Sequence, residues 1–106
     1  IERNGPATDG CYYTMRAYDL SPLTSPLDKI STKAMSMKIR TTGIGDGGNE
    51  IGMGKVFDLV KKYIKNGEKI ATTAIMDNLI VASVSNWGGY ALSIAILAVC
   101  FDNKNV

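Results

Sequence analysis

The residues best suited to chemistry lie in one segment, Gly43-Ile44-Gly45-Asp46-Gly47-Gly48-Asn49-Glu50-Ile51-Gly52-Met53-Gly54. It carries two carboxylates, Asp46 and Glu50, and six of the chain's 11 glycines. Carboxylates beside exposed backbone donors suit general acid–base catalysis or oxygen-ligand binding of a metal. Glycine at this density costs chain entropy, and a simple turn needs far less of it. It predicts close approach of backbone to a ligand, or positive-φ positions whose N–H groups form an anion-binding concavity. The plainer alternatives are a tight irregular connection, a turn-forming Asp46 and a solvated Glu50. A second set, Ser85-Asn86-Trp87-Gly88-Gly89-Tyr90, again joins polar groups to paired glycines. At a helix start, the N–H groups around Gly88 and Gly89 are free to bind an anion. The alternative there is a helix cap by Ser85 or Asn86, with Trp87 in the core.

Both sets need strands to present them. Residues 39–44 and 79–84 are short β-branched runs that read as strands, the second apolar enough to be covered on both faces. If these strands are parallel neighbours, their loops emerge on one edge and converge, where open α/β sheets place ligands. Residues 69–73 read as a further strand. Residues 55–65 form the clearest helix, with Val56, Leu59, Val60, Tyr63 and Ile64 on one stripe and Asn66-Gly67 as a left-handed stop. Residues 90–100 read as a buried helix, hydrophobic all round, with Cys100 in the core. Ser25-Pro26 opens a short helix to about Met35. The rest of residues 1–28 is irregular, apart from an extended piece at 12–18. The fold class is therefore α/β: a layered sheet with at least partly parallel strands and flanking helices. The missing initiator methionine and the apolar run near the end suggest a piece of a larger domain, which would expose apolar surface.

Two nucleotide motifs fail on spacing. Gly43, Gly45 and Gly48 satisfy G-x-G-x-x-G, but the helix begins near Lys55, too late to meet a pyrophosphate. Gly54-Lys55 lacks the earlier glycine and the following Ser or Thr of a P-loop. Composition narrows the classes further. The net charge of +2 is too small to indicate a nucleic-acid or anionic-membrane partner. The longest apolar run is about a dozen residues, short of the roughly 20 that span a bilayer. There is no histidine, so proton transfer falls to Asp, Glu, Lys, Tyr or Cys. Cys11 and Cys100 have no basic sequence neighbour that would activate a thiolate.

The segments 43–56 and 84–91 closely resemble the D-glutamate cyclase family, whose vertebrate members are mitochondrial. Ile1-Glu2-Arg3 with Gly5, Ala7, Asp9, Gly10 and Tyr12, then Pro26-Leu27-Asp28 and Lys65-Asn66-Gly67, extend the resemblance over the whole chain. It identifies residues 1–106 as the later part of a C-terminal cyclase domain. Residues 72–78 depart from the family's acidic pattern, which weakens Asn78 and, less so, Asp77 as functional positions. The resemblance implies a lyase of the mitochondrial matrix that converts D-glutamate to 5-oxo-D-proline and water. On that basis Asp46 and Glu50 are candidates for proton transfer. The N–H groups of Gly47, Gly48, Gly88 and Gly89 are candidates for the anion hole, and Asn49 and Asn86 for orienting substrate carboxyls. No cofactor is implied, although a divalent metal on Asp46 and Glu50 would polarise the substrate equally. The expected partners are D-glutamate and either the remainder of a longer chain or a second copy. The alternative is a non-catalytic module that binds a small anion or a nucleotide.

Overall fold

Gly45 and Val81 lie side by side, because the two β-branched runs pair as parallel neighbours. The computed structural model describes residues 2–104. In it β1 (Thr42–Gly45) and β2 (Asn78–Val81) form a two-stranded parallel sheet, with Thr42 opposite Asn78. The molecule is α/β, with helices flanking this sheet. Both strands are shorter than the sequence suggests. Their entry is fixed by Asp77, whose Oδ2 accepts the N–H and hydroxyl of Thr41 at 2.8 and 3.0 Å. Residues 39–41 therefore lead into β1 rather than belonging to it.

The first helix, α1 (Asp28–Ser36), starts later than Ser25-Pro26 predicts. Its N-cap is Leu27 and no side chain caps it, while Asp28 instead accepts the Tyr12 hydroxyl at 2.6 Å. Residues 12–18 are not one extended piece. The chain reverses at Met15-Arg16, and Tyr13 bridges Asp19.

The predicted helix at 55–65 divides into a single 3-10 turn at Gly54–Val56 and α2 (Phe57–Tyr63). Asn66 supplies the left-handed stop at φ 62°. Of the predicted stripe only Val60 is buried, and Leu59 and Tyr63 are exposed. Residues 69–73 are not a strand. The Asn66 turn restarts a short helix, α3 (Gly67–Ile70), and within 71–73 the chain makes one isolated bridge, Thr72 to Ala7. Ile70 and Thr72 are buried against the N-terminal segment instead, and Ala71 packs with Met53 and Val60. That segment is laced down by backbone bonds from Gly5 N–H to Asn49 O, Ile51 N–H to Arg3 O and Thr73 N–H to Pro6 O. The most deeply buried side chains are Ile51, Ile70, Met76 and Thr72, so the core sits under irregular chain more than under the sheet.

The last helix, α4 (Ser85–Lys104), begins five residues before the predicted Tyr90. Gly88 lets it close on the sheet: a Cβ there would stand 2.9 Å from Ile44 Cγ2 and 3.2 Å from Ile80 Cγ2. Beyond Leu92 the helix leaves the body of the molecule. Every side chain from Ser93 to Asn103 is exposed, Ile94 by 67% and Phe101 by 62%. Burial of this helix is therefore not achieved within the described residues. Trp87 and Cys100 are exposed as well, and β2 is not covered on both faces. No helix among the described residues is long and apolar enough to cross a membrane.

Candidate active site

Parallel pairing brings the carboxyl ends of β1 and β2 together, and with them the two glycine-containing segments. Asp46 follows β1 directly, and Ser85 opens α4 just beyond β2. Asp46 Oδ2 accepts the Ser85 N–H at 3.1 Å and the Ser85 hydroxyl at 3.2 Å. The carboxylate thus meets the positive end of a 20-residue helix. The sequence offers Ser85 only as a helix cap. Its contact with Asp46 follows from strand pairing and carries no local sequence signal.

Glu50 has a different environment. It is 4% exposed, and its carboxylate accepts three backbone N–H groups. Oε1 takes those of Asp46 at 3.1 Å and Gly47 at 2.9 Å, and Oε2 takes that of Gly48 at 2.8 Å. The anion-binding concavity expected of the glycine segment exists, but the loop's own carboxylate fills it. The N–H groups of Gly47 and Gly48 are therefore already committed. Asn49 is also buried, and its side chain donates to the Tyr13 carbonyl at 2.7 Å, holding the N-terminal segment. The glycines clear space mainly for the chain itself. Gly48 has φ +118°, and a side chain there would overlap Val60; one at Gly43 would strike the Ile51 carbonyl.

In the second segment, Asn86 is exposed at the second position of α4. Gly88 and Gly89 lie inside the helix because it starts at Ser85, so their N–H groups belong to its i→i−4 ladder. They are not free anion donors. Asn86, Gly89 and Ser85 line a cavity of about 330 Å³ that also touches Ile44 and Tyr90. Asp46 and Gly47 border a mostly apolar cleft of about 270 Å³ against Val60 and Tyr63. Asp46 and Ser85 join the two.

The neighbouring Glu50 side chain and the N–H and hydroxyl of Ser85 hold the Asp46 carboxyl below its ordinary value of 3.8. Asp77 is lowered chiefly by Thr41, and Asp9 by Tyr13. A carboxyl with a depressed folded-state value stabilises the fold above its unfolded value. That contribution is lost as pH falls through the lower, folded value. Far-UV circular dichroism of this chain is therefore expected to hold from neutral pH to about pH 4 and to decline below it. A transition above about pH 5 would contradict this assignment of the carboxylates.

Among the described residues, no group of three or more His, Cys, Asp or Glu is placed to hold a metal ion. Glu50 also fits a cation poorly, because three N–H groups point their positive ends at its oxygens.

The carboxyl-bearing loop and the helix N-terminus lie at the carboxyl edge of parallel strands, the edge at which open α/β sheets place ligands. The chain matches the family model described as D-glutamate cyclase-like, C-terminal, over residues 1–105. It is 46% identical over 97 residues to the human protein named "D-glutamate cyclase, mitochondrial". The match takes in 91% of this chain and 16% of that protein's length. The chain belongs to the D-glutamate cyclase-like C-terminal family.

Proposed function

We propose that this chain contributes the active site of a D-glutamate cyclase that forms 5-oxo-D-proline and water in the mitochondrial matrix. The single observation that supports it most is the Asp46 carboxylate, exposed yet tied to Ser85 where the two loops meet. In this reaction the α-amine attacks the γ-carboxyl carbon. A C–N bond forms, a C–O bond breaks, and one oxygen leaves as water. The substrate ammonium loses two protons and the leaving oxygen gains two, so the net proton change is zero. One carboxylate can carry both transfers, and we assign that shuttle to Asp46.

Glu50 then acts on the loop rather than on the substrate. By occupying the N–H groups of Asp46, Gly47 and Gly48 it fixes the backbone from which the Asp46 side chain projects. Asn86 and the first turn of α4 would hold a substrate carboxylate beside Asp46, helped by the helix dipole. The adjoining cavity of about 330 Å³ is roomy enough for a substrate of glutamate's size. Binding the substrate folded supplies much of the acceleration, since five-membered ring closure is intramolecular.

Loss of primary amine from D-glutamate, followed with the full-length polypeptide, tests this reading. Turnover supports it; binding of D-glutamate without turnover would favour a non-catalytic anion module. The exposed α4 gives a further expectation. The 17 residues from Ser85 to Phe101 carry no charge, and a helix apolar all round is normally covered on every side. We assign that cover to further polypeptide of the same domain. In isolation the 106-residue chain is expected to self-associate in sedimentation or light scattering. A monodisperse monomer would contradict the assignment.

A further inference from the structure

We infer that Ser85 is a positioning residue for Asp46: its N–H and hydroxyl grip one carboxylate oxygen and fix the direction in which that carboxylate exchanges a proton. The inference rests on Asp46 as the proton shuttle and extends that reading to a residue outside the glycine loop. Three observations carry it. Both donors of Ser85 converge on Oδ2, at 3.1 and 3.2 Å. Ser85 itself is buried, at 6% exposure, whereas Asp46 is exposed, so the anchored partner is the serine. Finally, Ser85 rides on a rigid platform, because α4 is seated on the sheet three residues later at Gly88, against Ile44 and Ile80.

The carboxylate is thus clamped between two elements. Glu50 orders the backbone before and after Asp46, and α4 orients its side chain. An unclamped aspartate on a glycine-rich loop would sample several rotamers, and only some would face a substrate. The hydroxyl bond is charge-assisted and favours the ionised form, so its removal must also make Asp46 a weaker acid. The other titratable groups around the site are Glu50 on the loop, Glu2 and Tyr90 beside the Ser85 cavity, and Tyr63 across the cleft from Asp46.

The test is Ser85→Ala in the full-length polypeptide, with two readouts. The first is Asp46 carboxyl titration by carbon-13 NMR; the second is the pH profile of D-glutamate turnover. The expected result is a rise in the Asp46 value of about half a unit to one unit, the scale of one charge-assisted hydrogen bond. The acid limb of turnover should move by the same amount. kcat should fall about tenfold with KM little changed, since substrate binding is left intact. Ser85→Thr retains the hydroxyl and should restore both readouts. Ser85→Cys, a weaker donor of similar size, should fall between, and it serves if the alanine variant does not fold. An unmoved Asp46 titration would overturn the inference. So would a fall in kcat with the acid limb unshifted, which is the mark of a merely structural serine. Failure of the wild-type polypeptide to turn over D-glutamate would instead overturn the proposed reaction, and the Asp46 titration would still decide the role of Ser85.

Discussion

Glu50→Gln is expected to loosen the glycine loop, with amide exchange at Gly47 and Gly48 accelerated about 10²-fold. The substitution keeps shape but leaves only one acceptor oxygen. Its amide nitrogen would face an N–H donor where Glu50 now presents an oxygen to Gly48 or to the Asp46–Gly47 pair. A buried donor left without an acceptor costs about 1–3 kcal/mol, and a clash between two donors adds to that. Because Glu50 is 4% exposed, water cannot readily step in. Native-state hydrogen exchange reads this local opening directly. Unchanged protection at Gly47 and Gly48 would show that the loop is held by other means. It would return Glu50 to the list of proton-transfer groups.

Asp46→Asn is expected to lower D-glutamate turnover by about 10²–10⁴-fold, the usual contribution of a positioned proton-transfer group. Asparagine can still accept from Ser85 through its carbonyl oxygen, so folding should change little. The contrast between the two variants carries the argument: one alters the loop, the other the chemistry. Glu68→Gln is the control. Glu68 is exposed and pairs with Lys61 at 3.4 Å, an arrangement typically worth little in water. Near-normal turnover by Asp46→Asn would remove Asp46 from the mechanism and shift attention to residues outside this chain.

The main frame of the fold was legible in the sequence because its signals are local. Two β-branched runs each end in a glycine-bearing segment, and this shows the strands and their approximate positions; the shared edge follows once the two pair in parallel. Asn66 announced its left-handed turn in the same way. Residues 69–73 mislead because Ile70 packs against Ala7 and Tyr13, and Ala71 against Met53 and Val60, contacts that periodicity does not report. The role of Glu50 was hidden for a related reason. Whether a carboxylate faces solvent or its own backbone depends on the φ values of Gly48 and its neighbours, and a sequence of glycines permits both. The sequence points to a later start for α4 than Ser85 because Gly88 and Gly89 are poor helix formers. Gly88 is tolerated there because only a residue without a side chain lets the helix rest on Ile44 and Ile80. The apolar character of α4 is legible in the sequence, but among the described residues its face beyond Leu92 is exposed.

The most direct test of the central claim is a crystal structure of the full-length polypeptide with 5-oxo-D-proline bound. The account predicts the lactam within hydrogen-bond reach of the Asp46 carboxylate, its carboxylate toward Asn86 and the first turn of α4, and Glu50 still bonded to Gly47 and Gly48. A lactam bound elsewhere, with the edge between Asp46 and Ser85 empty, would contradict it.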